Sequence, residues 1–74
     1  MDDYKVKEGD LITFNYTNWK GQIGMRKAII KEFVFGSNGY HKDYQMMIVA
    51  FDVDKLEERI FAVKDMTMVE AIYI

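Results

Sequence analysis

Short apolar runs separated by turn-forming residues constrain the fold of this chain more than any other feature. In the run LITFNY, Ile12, Phe14 and Tyr16 alternate with Thr13 and Asn15. Such alternation is typical of a strand that buries one face and exposes the other. The run therefore predicts a half-buried β-strand early in the chain.

The next segment predicts a turn and then a second strand. Asn18, Gly21 and Gly24 tolerate positive φ, so we expect the chain to turn between residues 17 and 24. The following MRKAIIKEFVF is rich in β-branched and aromatic residues but is too long for one flat strand. We therefore expect a bend or bulge near Lys31 and Glu32.

The second half of the chain predicts three further strands. The run MMIVAF is almost continuously apolar, which is typical of a strand buried on both faces, and a turn at DVDK precedes the runs RIFAV and VEAIYI. The alternative is a helix over 54–64, with Leu56, Ile60 and Val63 on one face and an N-cap at Asp54. The β-branched and aromatic residues of this stretch favour the strand.

Five short strands with Gly, Asn and Asp turns predict an all-β fold. We expect a small SH3-like or Sm-like barrel of about five antiparallel strands, with room for one short helix or 3-10 turn, because closure removes exposed strand edges. A flexible N-terminal segment over 1–8 and a single barrel domain over 9–74 are expected. Four methionines are expected to fill the core: Met46, Met47, Met66 and Met68.

Size and charge limit the classes of partner. A chain of 74 residues without Cys has no disulfide and buries only about 60% of its unfolded surface, so we expect a homo-oligomer. The net charge of -2 disfavours binding to a nucleic-acid backbone. The longest apolar run is too short to span a bilayer and the N-terminus does not resemble a signal peptide. A cytoplasmic protein without membrane contact is therefore expected.

Catalytic and metal-binding patterns have little support in the sequence. There is no Cys nucleophile, and Ser37 and His41 lack the pattern of a catalytic triad. Asp52 and Asp54 supply oxygen ligands but lack the further spaced ligands of a calcium loop. We expect neither an enzyme nor a metal site, and no cofactor.

Arg26 and Arg59 are the leading candidates for ligand binding. They lie on different predicted strands, and a barrel could bring both guanidinium groups to one rim, where they would bind phosphate or carboxylate bidentately. The alternative is that each pairs with a nearby acid such as Glu58 or Asp52, with little net energy if exposed.

The remaining candidates lie in or beside turns. Trp19 and Tyr40 suit stacking on a base, or else a lid over the barrel or a subunit interface. His41 could donate to a ligand or pin its own loop. Ser37 is a turn residue or a ligand contact, and Gln45 could bind a base edge or satisfy loop backbone groups.

Two stretches, ITFNYTNWKGQIGMRKAII and FGSNGYHKDYQMMIVAFDVDKLEERIFAVKDM, resemble WYL-type domains and the short bacterial and phage proteins related to them. The resemblance covers roughly residues 10–66. Its matching positions are Tyr16, Asn18, Trp19, Gly21, Arg26, Phe35 to Ser37, His41, Gln45, Glu58, Arg59, Phe61, Ala62, Lys64 and Asp65. The name-giving aromatic triplet falls on Met46, Met47 and Ile48, and Asp65 stands where the family has a second Arg.

The resemblance implies a ligand sensor with an SH3- or Sm-like barrel rather than an enzyme. Ligands of such domains are nucleotides, oligonucleotides and single-stranded nucleic acid, often in regulators of bacterial defence. We therefore expect a protein that captures a nucleotide-like small molecule, of the kind a phage would encode as a sponge or inhibitor of a defence signal. The alternatives are an inhibitor or regulatory accessory subunit that binds a host protein, and a single-stranded nucleic-acid-binding module. The expected ligand-binding residues are Trp19, Arg26, Ser37, Tyr40, His41, Gln45 and Arg59.

Overall fold

A computed structural model describes residues 6–37 and 43–72. Within these residues, one five-stranded antiparallel sheet has the strand order β4, β3, β2, β1, β5. The elements are β1 Leu11–Thr17, β2 Ile23–Gly36, β3 Gln45–Asp52, β4 Glu57–Ala62, the 3-10 turn Val63–Asp65 and β5 Met66–Ile72. The prediction of an all-β, barrel-like fold with about five strands and room for a 3-10 turn is confirmed.

The core lies on one face of this curved sheet. In β1, Ile12, Phe14 and Tyr16 are buried and the residues between them are half-buried, as the alternation predicts. The ring centroid of Phe61, on β4, lies 5.0 Å from that of Phe14 and 5.0 Å from that of Tyr16, both edge to face. Each such pair contributes about 0.5–1.5 kcal/mol beyond its burial. The other buried members of this cluster are Ala28, Ile30, Ile48, Ala50 and Met66.

A side chain joins β1 to the edge strand β4. The hydroxyl oxygen of Tyr16, near the end of β1, accepts a hydrogen bond from the backbone N–H of Ala62, the last residue of β4, at 3.0 Å. The 3-10 turn then leads into Met66, which pairs with Tyr16 in the ladder between β1 and β5. The hydroxyl of Tyr16 therefore holds β4 close to β1 and β5, although these are the two strands farthest from β4 in the order of the sheet.

The predicted bulge in β2 lies at Lys31. Ile30 pairs with Ala50 of β3, Glu32 pairs with Val49, and Lys31 has no partner in the ladder. An extra residue of this kind shifts the alternation of the strand by one position. As a result, both Ile30 and Phe33 point towards the core, although they are three residues apart.

The second half of the chain contains strands where the helix over 54–64 was the alternative. That alternative is wrong, because residues 57–62 form β4 and a turn that ends at Leu56, with φ of 56°, precedes it. The prediction that β3 is buried on both faces is also wrong in part. Ile48, Ala50 and Asp52 on the core face are buried. On the other face Met47 is buried as well, whereas Val49 and Phe51 are half-buried.

Turns and methionines differ in detail from the predictions. Gly21 has a φ of +80° in the turn between β1 and β2, whereas Gly24 lies within β2. Met47 and Met66 are buried, as predicted for core residues. The same prediction is wrong for the exposed Met68, which has a φ of 54° at a bulge between β1 and β5, and for Met46, whose side chain is also exposed.

The residues that precede β1 extend its pairing. The backbone N–H of Gly9 donates to the carbonyl of Ile30 at 2.8 Å, and Val6 packs against the core. The division into a flexible segment over 1–8 and a domain over 9–74 stays a prediction. Across the described ranges, no helix has the length and apolar character needed to cross a membrane.

Candidate functional site

Arg26 and Arg59 both lie on the inner face of the sheet, which is the face that carries the core. Arg26 of β2 is directly opposite the buried Phe14, and Arg59 of β4 is directly opposite the buried Ala50. Directly opposite residues of an antiparallel pair project to the same face. Both arginine side chains are half-buried. The two arginine side chains therefore project from the sheet at the edge of the apolar core.

The Tyr16 hydroxyl is influenced by the charges of both arginines. Burial raises the pKa of the Tyr16 phenol, the hydrogen bond from Ala62 lowers it, Asp65 raises it, and Arg26 and Arg59 lower it. The charges of both guanidinium groups and of the Asp65 carboxylate therefore all act on this hydroxyl. We call Tyr16, Arg26, Arg59 and Asp65 the inner-face cluster.

The two arginines differ in their partners. Arg59 Nη1 lies 3.1 Å from Glu57 Oε1 and forms an exposed ion pair. In the described part of the chain Arg26 forms no ion pair, and its Nε is buried without an acceptor. A guanidinium carries five N–H donors, so Arg59 retains donors beyond its bond to Glu57. Both arginines therefore have hydrogen-bonding capacity to offer a ligand.

The alternative that each arginine pairs with a nearby acid holds for Arg59, whose partner is Glu57, whereas the two acids named for it, Glu58 and Asp52, are engaged elsewhere. Glu58 Oε2 lies 2.6 Å from Lys31 Nζ on the outer face, and this hydrogen bond and charge raise the pKa of Lys31. Asp52, which is 1% exposed, accepts hydrogen bonds at Oδ1 from the backbone N–H groups of Asp54 and Lys55 at 3.0 and 3.1 Å. Asp52 thus holds the turn between β3 and β4.

The described residues contain no group of three or more His, Cys, Asp or Glu side chains that could hold a metal ion. The Asp52 carboxylate is satisfied at one oxygen by the turn, and its Oδ2 is buried without a partner among these residues. Its geometry is that of an aspartate that caps a turn with its side chain, a role the DVDK pattern could have indicated.

Ser37 and Gln45 lie at the other end of the hairpin formed by β2 and β3. Gln45 pairs with Gly36, its Nε2 donates to the carbonyl of Asp43 at 3.2 Å, and its Oε1 is buried without a partner. Ala50, opposite Arg59, is five residues further along β3, which is about 16 Å of strand. The structure does not bring Ser37 and Gln45 to the arginines.

The two aromatic candidates have different outcomes. Trp19 is 81% exposed in the turn between β1 and β2, with Lys20 Nζ 5.1 Å from its ring centroid. It therefore does not cover the end of the barrel, and stacking on a base or a protein interface stay its predicted uses. Tyr40 and His41 lie outside the described residues.

A shallow cavity of about 90 Å³ lies on the outer side of β1. It is small beside the roughly 300–1,000 Å³ typical of small-molecule sites. The cavity is lined by Thr13, Phe14, Asn15, Met25, Met68 and Glu70, and none of the predicted ligand-binding residues is among them.

No model of a known protein family and no curated protein matches this chain. The resemblance to WYL-type domains stays a prediction, as do the phage role and the nucleotide-like ligand that it implies. A small barrel-like fold is compatible with many functions, so the function has to be argued from the site itself. Tyr16 and Asp65 belong to that site and were not among the predicted residues. A buried tyrosine whose hydroxyl needs a partner was the available signal for Tyr16.

Proposed function

We propose that this chain is a non-catalytic protein that captures an anionic, nucleotide-like small molecule at the inner-face cluster. One observation carries the proposal: Arg26 and Arg59, on different strands, both project from the core-bearing face of the sheet, and both guanidinium charges lower the pKa of the buried Tyr16 hydroxyl. Arginine forks and a phenol are donors that match the oxygens of a phosphate or carboxylate.

The hydrogen-bonding state of the cluster supports this ligand class. Tyr16 accepts the N–H of Ala62 at its oxygen, so the hydroxyl proton is available for a second partner. Arg26 forms no ion pair with a described residue, and Arg59 uses Nη1 for Glu57. An anion at this place would receive three donors that the protein itself leaves partly unused.

Asp65 provides a control in which ligand affinity should change in the opposite direction. Its carboxylate lies close enough to raise the pKa of Tyr16, so it would also repel an anion bound there. Removing this charge should strengthen binding, whereas removing either guanidinium should weaken it. A ligand bound elsewhere on the chain would respond to none of these changes.

The experiment is isothermal titration calorimetry with a panel of nucleoside mono-, di- and triphosphates and cyclic nucleotides. We expect Arg26→Ala and Arg59→Ala to weaken binding about tenfold or more, since a hydrogen bond to a charged group contributes about 1.5–3 kcal/mol. Asp65→Asn should tighten it. The matched control is Lys31→Ala, which removes a cation from the outer face and should change nothing. Absence of binding by wild type across the whole panel refutes the proposal.

A second candidate is a protein-binding inhibitor or regulatory accessory subunit. The observation that favours it is the 81% exposure of Trp19 at a hairpin tip, because exposed tryptophans are frequent anchors of protein interfaces. Under this reading, a partner captured from host lysate would be retained by Arg59→Ala and lost by Trp19→Ala. Tyr44→Ala, which removes another exposed aromatic, should leave capture intact. Loss with Tyr44→Ala as well would indicate non-specific apolar adsorption.

A further inference from the structure

The outer face of β5, β1 and β2 carries its side chains in rows that cross β1. Leu11 of β1 is directly opposite Ile72 of β5 on one side and Ile29 of β2 on the other. Ile72 and Ile29 are 37% and 38% exposed. This first row is an apolar strip with an isoleucine on each side of β1, and the fold leaves it partly in water.

The second row carries opposite charges on the two sides of β1. Thr13 is directly opposite Glu70 of β5 and Lys27 of β2, and both charged side chains are exposed. Their strands are two spacings apart, about 9.5 Å. Over residues 6–37 and 43–72 neither side chain takes part in an ion pair.

The third row has a methionine on each side of β1. Asn15 is directly opposite Met25 of β2, and its Nδ2 donates to Sδ of Met68 at 3.6 Å across the bulge in β5. Both methionines are 73% exposed. They also line the shallow cavity of about 90 Å³ on this face.

We propose that this three-row surface is the interface of a two-fold symmetric homodimer in which the outer faces of two copies pack against each other. The two-fold axis lies between the two faces and runs parallel to β1. A half turn about that axis exchanges the β5 side with the β2 side. It places Lys27 over Glu70 of the second copy and Glu70 over Lys27 of the second copy. In the first row it places Ile29 over Ile72 and Leu11 over Leu11.

The pattern fits a second copy of this chain better than an unrelated partner. In a two-fold interface, a contact of one residue with a different residue of the second copy occurs twice, once in each direction, so the surface must complement itself. Here the charges reverse sign across β1 while the apolar residues keep their character, which is what self-complementarity requires. A small domain with a limited core also gains stability from covering such a strip.

The first test measures the mass of the purified protein by sedimentation equilibrium from micromolar to millimolar concentration. We expect a reversible monomer–dimer equilibrium. Lys27→Glu and Glu70→Lys should each weaken the dimer about tenfold or more, because each creates two like-charge contacts. The double variant carrying both changes should restore the affinity of wild type. Lys55→Glu, an equal charge change in the exposed turn before β4, serves as the matched control and should have no effect.

The second test does not depend on the charged residues. Thr13 lies directly beneath the proposed axis and would face Thr13 of the second copy. The chain has no Cys of its own, so an introduced Cys would be the only thiol. Facing sheets lie about 10 Å apart, which is too far for a direct disulfide, so Thr13→Cys should be joined into a covalent dimer by a short bis-maleimide cross-linker, whereas Lys64→Cys, at an exposed position off this face, should not. A monomer at every concentration overturns the proposal. So does a dimer that is insensitive to both single charge reversals, or a failure of Thr13→Cys to cross-link.

Discussion

Replacing Tyr16 by Phe removes a single oxygen from the structure and keeps the ring. The ring contacts with Phe14 and Phe61 are preserved, so the change isolates the hydrogen bond from the backbone N–H of Ala62. Ala62 is fully buried. In Tyr16→Phe its N–H would lose this acceptor at a place that water does not reach.

The expected cost follows from that burial. Leaving a buried donor without a partner costs about 1–3 kcal/mol. For a domain of this size each kcal/mol corresponds to about 4–8 °C in Tm, so a loss near 2 kcal/mol corresponds to about 8–16 °C. A mutation that merely removed a solvated hydroxyl would leave Tm almost unchanged.

Thermal and urea unfolding followed by circular dichroism measure this effect. The matched control is Tyr44→Phe, which removes the hydroxyl of an exposed tyrosine. Its Tm should equal that of wild type. If Tyr16→Phe also melted at the wild-type temperature, the hydroxyl would contribute nothing to joining β1 to β4, and the account of how the barrel closes would be refuted.

Further predictions concern pH, a turn and a strained residue. The folded pKa of Tyr16 is raised above its ordinary value near 10, so its contribution to stability is fully present below that pH and is lost as pH rises through the folded pKa. The free energy of unfolding, measured with urea between pH 9 and 12, should therefore fall less steeply with pH in Tyr16→Phe than in wild type. Asp52→Ala removes the acceptor of two turn N–H groups and should lower the free energy of unfolding, measured with urea, by about 1–3 kcal/mol. Asp52→Asn keeps Oδ1 and should lower it less. Equal losses in the two variants would contradict the capping role. Leu56→Gly relieves a positive φ at an exposed turn and should raise Tm, measured by differential scanning calorimetry. A lower Tm than that of wild type would contradict this prediction. Ile48→Ala should cost about 2–5 kcal/mol because its side chain is fully buried.

Patterning along the chain was sufficient to predict the strands of this fold. The alternation through Ile12, Phe14 and Tyr16 predicted the buried face of β1, since a strand presents every second residue to the same side. The excessive length of the run after Met25 predicted the bulge at Lys31. Both signals are local, and so they survive without knowledge of the tertiary contacts.

Features that depend on contacts between distant residues were less predictable. The composition of MMIVAF suggested burial on both faces, but composition does not say whether another element covers the second face of β3. Met68 looked like a core residue, yet a bulge between β1 and β5 turns it outward. That Arg26 and Arg59, on different strands, both act on the pKa of Tyr16 depends on how the sheet curves, and no single strand encodes that curvature.

The bulge at Lys31 makes this position of β2 tolerant of two kinds of genetic change, substitution and deletion. The side chain of Lys31 is exposed, and its ion pair with Glu58 is of the exposed kind that adds little to stability. Substitution there should be nearly silent. Deletion of the same residue would leave Ile30 and Phe33 two positions apart, the spacing at which a regular strand carries both side chains on one face, so Phe33 would stay in the core. What position 31 contributes is therefore the local bend and extra twist of β2, since neither its side chain nor its added length is needed to hold Phe33 in the core.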